Sequence, residues 1–283
     1  SCDCRAIASG NRGSCDGRAM VVRWSWSHYA YNPRPTECLE QNCVLVTNML
    51  LLGALLVLVM VVWLALKNEG SVINQYLARA CRHEPYVFDP TILPWTARFR
   101  QEYQRIRLEY VQYVQGHQAA DHRDLDQNLA ANTVGWKTVY LKVFGNITSI
   151  SKHFPWTMQA LSQVPCTTAY FSILEPGTRI PLHRGLYKGV LKYHLGLIVP
   201  DETQDVYIVV HGTRLHWREG QDLLFDDTAE HYVVNQSAQP RVILLLDVKR
   251  PFQNVLVNSL NSLAIMFLSR HARVQKILKR IND

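Results

Sequence analysis

The chain has 283 residues and a formal net charge of +7, a length suited to one catalytic domain with attachments. The positive charge is spread out, with no run of five or more Lys and Arg, which argues against a nucleic-acid partner. A diffuse basic balance of this kind fits an anionic membrane surface or an anionic small molecule instead.

Residues 1–42 are polar, without a clear period, and read as an N-terminal tail expected to lean on a partner subunit. Of the cysteines at 2, 4, 15, 38, 43, 81 and 166, only Cys166 falls in the strand-rich part. The odd count and the absence of a Cys-x2-Cys pair there argue against a structural zinc site. Cys2 with Cys4, and Cys38 with Cys43, stay open as disulfides, ligands or free thiols.

Val44 to Leu66 is a run of 23 residues without a charge, long enough to cross a bilayer core of roughly 30 Å. Residues 43–67 are therefore expected to be a single transmembrane helix, with Trp63 at an interface. Arg34 on one flank against Lys67, Arg79 and Arg82 on the other puts the large domain on the cytosolic or matrix side.

Residues 68–134 form a polar connector. Phe99, Tyr103, Ile106 and Tyr110 lie at helical spacing, which predicts one helix packed on the domain that follows. His117, His122 and the nearby aspartates read as a solvated loop. From residue 135 to 251 short runs of β-branched and aromatic residues recur, which predicts a mainly β jelly-roll domain. Residues 252–283 read as an amphipathic helix with a basic end, able to cover the barrel, a partner or a membrane surface. Asn146-Ile-Thr148 and Asn235-Gln-Ser237 are glycosylation sequons, and Asn235 is placed on a strand.

Two histidines stand out, in Ile180-Pro181-Leu182-His183-Arg184-Gly185 and in Phe225-Asp226-Asp227-Thr228-Ala229-Glu230-His231. Neutral imidazoles suit Fe(II), Zn(II) or Cu(II). Spacing alone does not pair them, since a histidine near a strand end is more often packed than ligating. In a jelly roll, however, a ligand at the start of an early strand and another on the penultimate strand can converge. A basic residue on the last strand, here Arg241, then lies deeper and can hold a carboxylate bidentately. His211 and His216 read as structural residues of a hairpin.

The matching stretches are Gly135-Trp136-Lys137, Phe171-Ser172-x3-Pro176-Gly177, His183-x-Gly185 and Leu191-Lys192-Tyr193-His194-Leu195-Gly196. Trp217-x2-Gly220, Asp227-x3-His231 and Arg241-x5-Asp247-Val248-x2-Pro251 complete the set. In this order they resemble the aspartyl/asparaginyl β-hydroxylase family of Fe(II)/2-oxoglutarate oxygenases, in look closest to its membrane-bound lipid A hydroxylase branch. The resemblance implies His183 and His231 as catalytic iron ligands, and Gly185 where the usual triad carboxylate would stand. It implies Ser172 and Arg241 on one carboxylate of 2-oxoglutarate, with Lys192 and His194 at its other end. Lys192 departs from the family's arginine: it keeps the charge but loses the planar fork. The implied reaction uses O2 and turns 2-oxoglutarate to succinate while a substrate C–H is hydroxylated.

The expected function is a membrane-anchored hydroxylase of an acyl chain or other membrane-proximal substrate. Two alternatives are an accessory subunit of a membrane complex, which would bring other subunits as partners, and a peptidyl Asp/Asn hydroxylase. Asp226, Asp227 and Glu230 are read as turn residues or as groups orienting His231.

Overall fold

The computed structural model describes residues 71–121, 133–201 and 204–282, with scattered helical positions between 46 and 59. The tail and most of the expected 43–67 span, as well as His122, lie outside the described residues. Among those described, no helix is long and apolar enough to cross a membrane.

In chain order the first elements are α1 (Ser71–Ala80), β1 (Val87–Phe88), α2 (Thr96–Gln101), α3 (Tyr103–Gly116) and β2 (Ala120–Asp121). The strand-rich part holds β3 (Trp136–Val143), β4 (Asn146–Ile147), α4 (Pro155–Leu161), β5 (Cys166–Leu174), β6 (Arg179–His183) and β7 (Val190–Ile198). It continues with β8 (Val206–Val210), β9 (Thr213–Leu215), β10 (Asp222–Phe225), β11 (His231–Asn235) and β12 (Arg241–Lys249), and α5 (Val255–Leu268) and α6 (Ala272–Asn282) follow.

The strands form two antiparallel sheets. The larger runs β1-β10-β7-β12-β5-β3-β2, with β4 on β3, and the smaller runs β6-β11-β8-β9. From β5 to β12 the chain wraps between the two, which is the jelly-roll arrangement expected from the sequence.

Strand β12 shows how the layers are built. Val242, Leu244, Leu246 and Val248 share a core with Phe99, Ile106, Tyr110, Phe154 and Leu161 of the helical side. The alternate residues Ile243 and Leu245 share a second core with Ile180, Val206, Ile208, Val210 and Val233 of the smaller sheet. The two-residue period sends successive side chains to opposite faces. A strand covered on both faces reads as a continuous apolar run, and Val242–Leu246 does. The site residues occupy polar positions on the face turned to the smaller sheet.

The connector is more structured than a polar stretch suggests. Its predicted helix is broken at Glu102, whose N–H bonds back to Phe99 and Arg100 carbonyls, and the next residue, Tyr103, lies against Gly220. Phe99, Ile106 and Tyr110 are buried as their spacing predicts. Helix α4 lacks a capping side chain of its own. The buried Glu109 on α3 supplies one, accepting bonds from the backbone N–H groups of Trp156 and Thr157, each at 2.8 Å. His117 is exposed in the loop after α3, as expected, and its ring stacks on Tyr113 at 4.4 Å.

The single C-terminal helix is also corrected: it is two. Helix α5 packs on α1 through Ile73, Leu77, Val257 and Ala264, whereas α6 packs on β3 through Val143, Val274 and Leu278. Two different floors require a bend, and the Ser269 carbonyl at the break accepts from Asn146 Nδ2 at 3.3 Å and Gln275 Nε2 at 3.0 Å. His211-Gly212 is the two-residue turn joining β8 to β9, with positive φ at both positions, and His211 packs on Tyr86 at 4.4 Å. Asn235 is buried on β11, and its amide donates to the carbonyls of Leu174, Glu175 and Gln239. Cys81 and Cys166 are free and buried.

Candidate active site

His183 ends β6, a strand that the sequence reading passed over, and His231 opens β11. The site therefore sits at the end of the early strand rather than at its start. The antiparallel register sets the two residues directly opposite each other, with ring centroids 4.0 Å apart. Each ring is fixed by its own chain two residues upstream. His183 Nδ1 lies 2.8 Å from the Pro181 carbonyl, and His231 Nδ1 lies 2.9 Å from that of Ala229. A carbonyl only accepts, so Nδ1 carries the proton in both rings and Nε2 is left with a free lone pair. This is how metal-ligating imidazoles are held.

Burial lowers both pKa values, that of His231 to about 4 with the His183 ring adding to the fall. Both rings are neutral at physiological pH. For the metal-free protein the unfolded chain takes up the His231 proton first. Stability is then lost as pH falls from about 6.5 to 4, by on the order of 3 kcal/mol. Asp227 opposes part of this, because burial raises its carboxyl to about 6. Melting curves across this range are expected to fall more steeply for the wild type than for His231→Gln. Parallel curves would contradict a neutral His231.

Gly185 follows His183 by two residues, and its backbone N–H donates to the Asp227 carbonyl at 2.7 Å. A Cβ on residue 185 would stand 2.2 Å from the Asp227 carboxylate, so that carboxylate occupies the space a side chain there would need. Asp227 is buried, and its Oδ1 has no protein partner. Among the described residues, no group of three or more His, Cys, Asp or Glu is arranged to hold a metal ion. The protein donors at this place are two imidazoles, with a carboxylate standing by.

Arg241 opens β12 and is 1% exposed. Its guanidinium lies 4.6 Å from the centre of the Trp217 ring and donates from Nη1 to the Ser172 carbonyl at 3.3 Å and to Ser172 Oγ at 3.5 Å. Among the described residues no carboxylate pairs with it, and its Nε has no partner. Burial pulls its pKa down to about 9, so it stays charged at neutral pH. Ser172 Oγ also accepts from Trp136 Nε1 at 3.0 Å. Trp217 Nε1 donates to His194 Nδ1 at 3.2 Å, which places the His194 proton on Nε2, and that buried donor is also unpartnered. Thr138 Oγ1, opposite Ser172 in the β3–β5 register, is a third such atom. Unpaired donors around a buried cation form a carboxylate receptor.

Lys192 lies on the same face of β7 but is already engaged. Asp247 Oδ1 holds it closely, and Asp227 Oδ2 lies 3.4 Å away. Burial favours its neutral form, but the two carboxylates outweigh burial and raise its pKa. The sequence reading had no place for Asp247 beside Lys192 or for Asp227 against Gly185. The one signal for the second was the spacing Asp227-x3-His231.

A buried ionic knot ties the two histidine loops together. Asp226 is bonded by Arg250 Nη2, by Lys188 Nζ at 2.5 Å and by the Thr228 backbone N–H at 3.0 Å. Arg250 also meets Glu84 at 2.6 Å and the Lys188 carbonyl at 3.0 Å. Lys188 follows His183 and Asp226 precedes His231, so this knot positions both histidines. Removing one member leaves charge buried without compensation, at about 3–5 kcal/mol. Arg250→Leu is expected to lower Tm by roughly 6–20 °C. A melt within 2 °C of wild type would count against it.

Comparison with known proteins follows the same residues. A family model described as aspartyl/asparaginyl β-hydroxylase matches residues 100–251, more than half of the chain. The chain belongs to this family of hydroxylases. Ornithine lipid ester-linked acyl 2-hydroxylase of Rhizobium tropici is 37% identical over 175 residues, covering 60% of this chain and 62% of that protein. Human aspartyl/asparaginyl β-hydroxylase is 35% identical over 106 residues, 35% of this chain and 14% of its own length. Aspartate β-hydroxylase domain-containing protein 2 of Xenopus tropicalis is 28% identical over 209 residues, 66% of this chain and 55% of its own length. The chain thus spans less than two thirds of each relative. Among solved structures, a cupin domain of an Enterobacter cloacae transcriptional regulator aligns over 42% of this chain and 100% of that chain, at 16% identity and a TM-score of 0.29. The family match spans both His183 and His231 and reaches from α2 to the end of β12.

Proposed function

We propose that the chain is an Fe(II)- and 2-oxoglutarate-dependent hydroxylase, held at a membrane by residues 43–67, that acts on an acyl chain or another membrane-proximal substrate. The residues present fit both groups. His183 and His231 would hold the metal through their free Nε2 atoms. Arg241 and Ser172 would hold a carboxylate of 2-oxoglutarate, with His194 Nε2 and Thr138 Oγ1 as further donors. When bound, iron, 2-oxoglutarate and O2 supply the oxidising chemistry: 2-oxoglutarate goes to succinate and CO2, and a substrate C–H becomes C–OH.

The chain's own residues bind, orient and exclude water. The i−2 carbonyl bonds keep the imidazoles in one tautomer and one orientation. Phe225 closes one wall, 4.9 Å from His194 and 5.9 Å from His231. Trp217 covers the guanidinium and orients His194. The carrying observation is Arg241, a fully buried cation with no carboxylate partner among the described residues, surrounded by the unpaired donors His194 Nε2 and Thr138 Oγ1. An acyl substrate draws support from the Rhizobium tropici relative, whose name records a lipid acyl position. The accessory-subunit reading draws on residues 1–42 and 43–67, which lie wholly or mostly outside the described residues, and on a long C-terminal helix, which is two helices packed on α1 and β3.

The test is metal analysis of the purified protein with succinate release from 2-oxoglutarate under air. About one iron per chain and turnover lost in His183→Ala bear the reading out. No iron uptake and no succinate, with the fold intact, would refute it.

A further inference from the structure

The chain exposes an apolar surface beside the histidine loop that the proposed chemistry does not use. Leu182 and Leu186 flank His183 and Arg184, and Leu186 is 76% exposed. The loop is fixed to α1, since Asn74 Nδ2 donates to the Leu186 carbonyl at 3.0 Å and Asn74 Oδ1 accepts from the Lys188 N–H at 2.6 Å. It is fixed to α5 by Tyr187, whose hydroxyl bonds Asn261 Oδ1 at 2.7 Å. Helix α1 adds exposed Val72 and Tyr76, one helical turn apart, and the first turn of α5 adds Val255 and Leu256, the latter 78% exposed. Their neighbours Ile73, Leu77 and Val257 are buried in one shared cluster, so α1, the loop and α5 form one rigid rim. Large apolar side chains gathered on such a rim mark an interaction surface.

We propose that this rim docks on the lipid bilayer and sets the His183 loop against the membrane. The inference rests on the membrane-anchored reading above and goes further by naming the surface. Its occupant follows from chain length. The uncharged run ends at Leu66 and α1 begins at Ser71, so five steps of chain, about 17 Å at full extension, separate them. A run that crosses the bilayer holds the start of α1 within that distance of the lipid. Side chains at an interfacial depth of about 5–10 Å meet the acyl region without leaving the protein. An acyl chain rising from the leaflet would then meet Leu182 and Leu186 before it meets the imidazoles.

The full-length chain, reconstituted into phosphatidylcholine vesicles, tests this. A solvent-sensitive fluorescent amino acid is placed at Leu186, at Leu256 and, as a control, at Leu108, which is exposed on α3. Flotation with the vesicles reads the anchor, and quenching by lipids brominated high on the acyl chain reads the rim. Docking predicts a blue shift and several-fold stronger quenching at 186 and 256 than at 108. Flotation with equal, water-like emission at all three sites overturns the docking and leaves the anchor standing. Failure to float overturns both. Concentration-dependent shielding at 186 and 256 without lipid quenching overturns it in favour of contact between copies of the chain.

Discussion

Replacing Arg241 with methionine is expected to end 2-oxoglutarate turnover while leaving the fold as stable as before or more so. The wild-type cation is buried with an unpaired Nε and no carboxylate among the described residues, so the empty fold bears the cost of desolvating it. Apolar replacements of similar volume at such sites are often neutral or stabilising by about 1–4 kcal/mol. Losing the partner of a buried carboxylate costs about 2–5 kcal/mol in binding, a fall of roughly 30- to several-thousand-fold in 2-oxoglutarate affinity. Arg241→Lys keeps the charge, loses the fork and is expected to fall between the two. Calorimetric titration of 2-oxoglutarate and a thermal melt are the paired measurements. A lower Tm with affinity unchanged would make Arg241 a structural residue only.

The second large effect concerns Gly185. Placing a carboxylate there looks like completion of the proposed metal site, yet Gly185→Asp is expected to disable it. Its Cβ would stand 2.2 Å from the Asp227 carboxylate, and two buried carboxylates cannot both ionise at that range. Crowding of this kind costs about 1–3 kcal/mol before the charge is counted, so a Tm loss of several degrees and weak iron uptake are expected. The double change Gly185→Asp with Asp227→Gly exchanges the two side chains across one space. It is expected to recover most of the stability and the iron binding. A single variant that melts and binds iron like wild type would show that Asp227 is free to move aside.

The two histidines, Ser172, Arg241 and His194 are legible through motifs that resemble the hydroxylase family; spacing and strand period alone pair none of them. Asn235 is legible as a strand residue because it closes the β-branched run Val233–Val234. Strand β6 is not legible, because its exposed Arg179, Pro181 and Leu182 break the apolar alternation by which strands are recognised. Both long helices were drawn as single pieces because helical period does not register which neighbour each half packs on. The pairing of Gly185 with Asp227 joins residues more than forty apart. No local pattern carries it, and only the loops closed by the Arg250–Asp226–Lys188 knot bring the two together.

Strand β6 is the edge of the smaller sheet and, among the described strands, pairs with β11 alone. Edges of this kind open first, below the free energy of global unfolding. Opening β6 carries His183 away from His231 while Arg241 and Ser172, deep in the larger sheet, stay in place. For the metal and co-substrate proposed above, metal release would be a local event, separable in time from co-substrate release and from denaturation. An iron held by His183 and His231, as proposed, would close that edge like a clasp, and the amide protons of Arg179, Ile180, Leu182 and His183 would be its natural gauge.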